Sequence, residues 1–92
     1  MKRIIAKRTL REFWEKHSDS EQYLKTWYDT AKNAIWITPN NIKETYTSAI
    51  IIVDNRVVFN RKGYTYRLIV KFNYERQRAF IRFIGTPVFR TP

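Results

Sequence analysis

Several residue types that build enzyme sites are missing or rare in this chain of 92 residues. It has no cysteine, which excludes disulfides and thiolate metal sites, and a single histidine with few scattered acids leaves too few ligands for a zinc site. The only glycines are Gly63 and Gly85, so no glycine-rich phosphate-binding loop is present. We therefore expect no metal site and no nucleotide-binding loop.

Long apolar runs are also missing. No stretch approaches the roughly 18–20 apolar residues that a membrane helix requires. The segment after Met1 is basic, becomes apolar only over residues 4–6, and is charged again at Lys7, which makes it too short for a signal peptide. We therefore expect a cytoplasmic protein with no membrane contact.

Acidic residues are scarce as well. Eight Asp and Glu stand against 18 Lys and Arg, giving a net charge of +10. Residues 54–92 hold nine of these cations but only two acids, Asp54 and Glu75. Such an excess indicates a polyanionic partner, either nucleic acid or an acidic protein. The alternative is a solvated basic surface that only keeps the protein soluble.

The length is sufficient for one compact domain, so we expect a single domain over residues 1–92. Its second part, residues 54–86, predicts three consecutive strands. A turn at 54–55 opens this part, and tight turns at 62–63 and 75–77 separate the strands, because Asn, Asp and Gly accept the unusual backbone angles of short connections.

The long strand over residues 64–74 alternates in polarity, and side chains switch faces at every residue of a strand. One face is apolar and the other carries cations, which is typical of an antiparallel sheet with one buried face. The apolar set is Tyr64, Tyr66, Leu68, Val70, Phe72 and Tyr74, and the opposite set is Thr65, Arg67, Ile69, Lys71 and Asn73. Tyr64 and Tyr66 lie near the cations in sequence but on the apolar face, so they are not counted as platforms for base stacking.

The first part predicts a short strand over residues 2–6 and then a helical hairpin. Helix one runs from Lys7 or Thr9 to His17, with a capping box over 9–12, and helix two runs from about Asp19 to Ile35 or Trp36, with a second box over 18–21. His17 continues the apolar stripe of helix one, which favours packing beside Trp14 over catalysis.

The remaining segment begins where helix two is interrupted, because Pro39 disfavours a helical conformation at Thr38. Residues 42–46 can add one more helical turn, and residues 48–53 (SAIIIV) predict a buried strand. The resulting order β-α-α-β-β-β-β predicts an α+β domain of two layers, with the helical hairpin packed on one antiparallel sheet.

The free sheet face is the candidate binding site. Arg67 and Lys71 lie four residues apart on one strand, which places them about 13 Å apart on that face. Arg82 lies on the next strand, and Arg61 and Lys62 lie in the connecting turn. Together they could hold successive phosphates of a single RNA strand. The alternative is an exposed face of salt bridges, for which Asp54 and Glu75 are the nearby acids.

Several separated segments resemble the HigB toxin family, the type II toxin–antitoxin RNases of the RelE-like superfamily. The resemblance extends from Lys2 to Thr86, with the segments in the same order and spacing. The most specific segments are DNRVVFN (54–60) and FIRFIGT (80–86), joined by TLREFWEKH (9–17), residues 24–34 and residues 66–68.

This resemblance implies a RelE-like fold and translation-dependent cleavage of mRNA in the A site of the 70S ribosome, which arrests growth. It also implies a HigA-like helix-turn-helix antitoxin that neutralises the toxin. The complex would repress its own operon, so operator DNA would be contacted only through the antitoxin. No metal or cofactor is expected.

The resemblance also suggests roles for single residues. Arg67 and Arg82 match arginines of the family pattern, and Lys62 lies five residues before Arg67. These three are assigned to catalysis, through phosphate binding and the charge of the transition state. RNA binding is assigned to Arg56, Arg61, Lys71 and Arg90.

The chain departs from the family pattern after Thr86. Pro87 stands where the family has His, and Arg90 stands where it has Tyr. Proline carries no proton, and arginine is a poor acid or base at neutral pH. Cleavage is therefore either weakened or carried by Lys and Arg alone. A catalytically inactive scaffold that binds RNA, the ribosome or only an antitoxin is the alternative function.

Overall fold

The computed structural model describes residues 1–60 and 66–86. Within these ranges three helices pack on one face of a five-stranded sheet, which confirms the expected α+β class. No helix there is long and apolar enough to cross a bilayer. The elements are β1 (Arg3–Ile5), α1 (Lys7–Lys16), α2 (Glu21–Asn33), α3 (Pro39–Thr45), β2 (Ile50–Ile52), β3 (Arg56–Asn60), β4 (Arg67–Asn73) and β5 (Arg78–Gly85).

The sheet has the strand order β1-β5-β4-β3-β2. The pairs β2–β3, β3–β4 and β4–β5 are antiparallel, as expected for strands joined by short connections. The pair β1–β5 is parallel, because the helices carry the chain across one face of the sheet before the other strands begin. The sheet is therefore mixed at this one edge.

The alternation predicted for the long strand is confirmed over β4. Leu68, Val70 and Phe72 are buried under the helices, whereas Arg67 and Lys71 lie half-buried on the opposite face. Tyr66, just before the strand, is buried on the core side, as its parity predicted.

Aromatic rings join the helical layer to the sheet. Trp27 of α2 meets Phe59 of β3 edge-on, with 5.4 Å between ring centroids. Phe72 of β4 meets Trp36 at 5.8 Å in the same edge-on geometry. Such pairs are favourable beyond the area that they bury, so a small domain obtains a well-packed core from few residues.

Both predicted capping boxes are wrong. Helix α1 begins at Lys7 with Ala6 at its N-cap, so Thr9 already lies in the first turn and no side chain caps this end. The segment 18–20 forms a short 3₁₀ turn, in which the Ser20 hydroxyl donates to the carbonyl of His17, and α2 begins at Glu21. The motif matched the sequence, but α1 begins two residues before Thr9, directly after β1, and the 3₁₀ turn moves the start of α2 to Glu21.

The segment after helix two differs from its prediction in two ways. Residues 39–45 form a complete short helix, α3, and the Asn41 side-chain oxygen accepts from the backbone N–H groups of Ile37 and Thr38 at 2.9 and 3.2 Å. The strand expected to be buried over 48–53 is reduced to β2, whose isoleucines are 38–49% exposed. As an edge strand, β2 has only β3 as a neighbour.

His17 packs against aromatic rings. Its ring stacks on Phe13 at 4.3 Å between centroids and meets Tyr66 edge-on at 5.8 Å. The Tyr66 hydroxyl donates to the carboxylate of Asp19, which ties the turn between the helices to the start of β4.

Trp27 provides the first test of this core. It is fully buried, and its indole N–H has no partner among the described residues. We expect Trp27→Ala to lower the free energy of unfolding by about 3–5 kcal/mol, because it leaves a large cavity. Trp27→Phe should cost less, because it keeps a ring and removes an unpaired donor.

Urea unfolding at a constant m-value measures both variants. Asp29→Ala on the exposed side of the same helix is the control and should stay within about 0.5 kcal/mol of the unmodified chain. Equal losses for Ala and Phe at position 27 would contradict the assigned packing.

Candidate nucleic-acid interface

The side of the sheet opposite the helices is called the outer face here. Strand register arranges its side chains in rows across the sheet. One row joins Arg56, Lys71 and Phe80, and a second joins Asn60, Arg67 and Gly85. Between them lies an apolar row of Ile50, Val58, Ile69 and Phe83. The cations predicted for this face therefore lie in two groups, one on each side of the apolar row.

A β-bulge determines the position of Arg82 on β5. Ile69 pairs with Phe83 and Val70 pairs with Ile81, so Arg82 lies between two paired residues of β5 and has no partner on β4. Bulges re-aim side chains at functional sites. The Arg82 side chain is exposed, and its guanidinium carbon lies 5.8 Å from the centroid of the Phe80 ring.

Asp54 lies among the cations of this face. It occupies the β2–β3 turn, where Asp54 and Asn55 both have positive φ angles of 64° and 58°, as short hairpins require. The Lys71 ammonium donates to its carboxylate at 3.1 Å, and the Arg56 guanidinium lies 3.9 Å away. The salt-bridged alternative is thus realised for these two cations.

These contacts perturb the acid. The hydrogen bond and charge of Lys71 hold the pKa of Asp54 below its usual value, with smaller contributions in the same direction from Arg56 and Arg82. Arg56 and Lys71 are paired across β3 and β4, and Arg82 lines one cavity together with Lys71, so the three cations form a local cluster. We call Arg56, Lys71 and Arg82 the cation cluster.

Arg67 lies apart from that cluster, at the other end of β4. Its side chain is half-buried, and its Nε–H donates to the side-chain oxygen of Asn60 at 3.4 Å. The rows of Arg67 and Lys71 lie on either side of the apolar row, so one extended ligand can meet both. The other predicted site residues, Arg61, Lys62 and Arg90, lie outside the described residues, as does Pro87.

The sequence analysis missed a cavity of about 440 Å³ beside the cation cluster. Phe80 was missed because only the tyrosines of the long strand were weighed as stacking platforms. Its spacing two residues before Arg82 was the available signal. The lining residues are Asn55, Lys71, Phe72, Asn73, Tyr74, Glu75, Phe80 and Arg82.

Metal-binding groups do not gather in this region. Over residues 1–60 and 66–86 no three His, Asp or Glu side chains lie close enough together to hold a metal ion. What the outer face offers chemically is positive charge, amide groups and aromatic rings.

Comparison with known families decides which kind of protein carries this face. The model of the HigB toxin family, described as the RelE-like toxic component of a toxin–antitoxin system, matches residues 20–87. This chain belongs to the HigB toxin family. The match covers more than half of the sequence and includes the cation cluster and Arg67. No curated protein gives a significant match.

Membership confirms the expected family and its α+β fold. Three helices on a mixed five-stranded sheet are compatible with a RelE-like architecture. As the toxic component of a toxin–antitoxin system, this HigB chain also has an antitoxin as a partner. Helix α1 precedes the matched residues, although it packs within the same core.

The cluster around Asp54 predicts a specific pH response. In the Lys71→Gln variant we expect the pKa of Asp54 to rise toward its usual value, since the main hydrogen bond and charge are removed. A carboxyl-detected NMR titration measures it. Lys16→Gln, which removes an exposed cation from the helical layer, should leave the midpoint in place.

The direction in which pH changes the stability of the fold follows from the linkage between proton binding and folding. Because the pKa of Asp54 is lower in the folded protein, the pairing stabilises the fold at neutral pH. That contribution is lost as the pH falls through the lowered pKa. An Asp54 midpoint unchanged in Lys71→Gln would contradict the assigned pairing.

Proposed function

We propose that this HigB toxin is a metal-independent endoribonuclease that cleaves mRNA in the ribosomal A site and thereby inhibits translation. The observation that supports it is the outer face, where the cation cluster and Arg67 flank an apolar strip. A single-stranded polyanion with exposed bases needs both positive charge and apolar surface. The protein would act in the cytoplasm, where its substrate is translated.

The reaction needs few groups. The 2′-hydroxyl of the RNA attacks the adjacent phosphate, and the bond to the 5′-oxygen of the next nucleotide breaks, with a proton leaving the first oxygen and another reaching the second. Negative charge builds on the phosphoryl oxygens. Arg67, Arg82 and Lys62 would stabilise that charge, which is a large term in such reactions.

The remaining cations would bind the RNA backbone. We assign Arg56, Lys71, Arg61 and Arg90 to this role. Asp54 then acts as an internal counterion, because an RNA phosphate must compete with its carboxylate for Lys71 and Arg56. Binding of RNA would therefore include release of these two side chains from the acid.

The antitoxin would be a HigA-like helix-turn-helix protein. In this proposal operator DNA is contacted through the antitoxin, and the toxin itself meets the 70S ribosome and its mRNA. The net charge of +10 suits both an acidic antitoxin surface and the ribosomal RNA environment.

A second candidate function follows from one observation in the sequence. Pro87 and Arg90 replace the His and Tyr of the family pattern, and neither is a suitable acid or base at neutral pH. A chain with these residues could retain RNA, ribosome or antitoxin binding with little or no cleavage.

Expression without antitoxin, followed by mapping of mRNA 5′ ends, separates the two functions. Growth arrest with new ends inside translated frames would support the nuclease and show that Pro87 and Arg90 do not disable it. Normal growth with folded protein would favour the inactive scaffold. In that case the double variant Pro87→His with Arg90→Tyr should restore killing.

The assigned arginines can be tested directly. Arg67→Ala and Arg82→Ala should each lower the cleavage rate on programmed ribosomes about 10²–10³-fold if they stabilise the transition state. Arg11→Ala removes an exposed charge from the helical layer and is the matched control, with a rate close to that of the unmodified chain. Unfolding curves verify that all variants fold. Growth arrest by the Arg67→Ala, Arg82→Ala double variant would refute the assignment.

The counterion role of Asp54 gives a prediction of opposite sign. Asp54→Asn should bind single-stranded RNA more tightly and with a steeper salt dependence, by ~0.7 in the log–log slope for each phosphate gained. Asn tolerates the positive φ at this position, so the turn is preserved.

Fluorescence anisotropy over a range of salt concentrations measures this effect. Glu75→Gln is the control, because Glu75 lines the same cavity but has no ion pair with a described residue. Equal gains in RNA affinity in the two variants would show that the effect comes from net charge alone. Weaker RNA binding by Asp54→Asn would contradict the counterion role.

A further inference from the structure

We propose that the cavity beside the cation cluster is a nucleotide subsite that holds one base of single-stranded RNA against Phe80, with the attached phosphate at Lys71 and Arg82. The inference rests on the proposed function and specifies where the substrate is held. It concerns the end of β4 that is remote from Arg67.

The size of the cavity fits such a ligand. Its volume of about 440 Å³ lies within the range of small-molecule sites, roughly 300–1,000 Å³. Its walls come from β4, β5 and the turns at 54–55 and 74–77, so the antiparallel sheet fixes their relative positions. A binding site on paired strands is more rigid than one on loops.

Phe80 supplies the surface for the base. Strand register sets it beside Lys71 on the outer face, where it is half-buried. The guanidinium of Arg82 already lies 5.8 Å from the ring centroid, so one side of this site offers two flat groups. Bases stack on aromatic rings and on guanidinium planes alike, and every base has a π-face.

Two amides add hydrogen-bonding groups. The side-chain oxygen of Asn73 accepts from the backbone N–H of Arg76 at 3.0 Å, which fixes the amide and leaves its N–H groups without a described partner. Asn55 lies across the cavity in the β2–β3 turn, and its carbonyl accepts from the N–H of Phe72 at 2.9 Å. Amides carry donors and acceptors that match the edge of a base.

The same walls disfavour a purely anionic ligand. Glu75 lines the cavity, and Asp54 already pairs with Lys71. A phosphate or carboxylate alone would meet this negative charge without using Phe80 or the amides. A base with its phosphate uses all of the groups, which is why RNA is favoured over an acidic protein segment.

The test uses the full chain and a set of RNA heptamers, each with one abasic position. The unmodified protein should lose about five-fold or more in affinity when the base held by the cavity is absent, and little at the other positions. Phe80→Leu should weaken binding of the intact RNA and remove the sensitivity at that one position.

Tyr28→Leu is the control, since Tyr28 is a half-buried aromatic residue of α2 in the helical layer, away from the outer face. It should keep the positional profile. Asn55→Gly is a second variant with little risk of misfolding, because glycine accepts the positive φ of 58°. It should also flatten the profile at the same position.

The inference is overturned by a profile with no sensitive position, by the same profile in the Phe80→Leu variant, or by absence of RNA binding at low salt. Cleavage is measured separately on programmed ribosomes. A sensitive position that depends on Phe80 without any cleavage would leave the subsite in place and reject the nuclease. Cleavage together with a profile that has no sensitive position would support the nuclease and reject the subsite.

Discussion

The strict alternation of β4 is the constraint on which the rest of the structure depends. A strand that buries Leu68, Val70 and Phe72 under the helices must present Arg67 and Lys71 on its other side. Since β3 and β5 flank β4, the same parity extends across the sheet and sets the rows of the outer face. The aromatic core and the basic face are thus two consequences of one pattern.

Much of this was predictable because it depends on local periodicity. The helical hairpin and the strand faces followed from spacings of 3.6 and 2 residues along the chain. The second capping box failed because its residues form a 3₁₀ turn, and the first failed because α1 already begins at Lys7. The exposure of β2 was not predictable, since three consecutive isoleucines have the same composition at a sheet edge as in its centre.

The candidate site was predictable only in part, for a related reason. Parity identified Arg67 and Lys71 as neighbours on one face, but the bulge that re-aims Arg82 and the pairing of Asp54 depend on register between strands. The apolar row also becomes visible only when the strands lie side by side, whereas the spacing of Phe80 two residues before Arg82 was a signal in the sequence. The alternation along one β-strand predicts which face of the sheet a side chain lies on. The register between neighbouring strands determines which side chains come together in a site.

An acid within a basic face resolves a conflict that any strongly cationic sheet meets. Three unpaired cations around one turn would repel each other and weaken the hairpin that holds them. Asp54 relieves this repulsion in the free protein, and under the proposed function it would compete with an RNA phosphate for Lys71 and Arg56. The position carries a positive φ, so Asp meets the demands of the turn and of the charge balance with one residue. Both the stability of the β2–β3 turn and the strength of the proposed RNA binding would therefore depend on the same carboxylate.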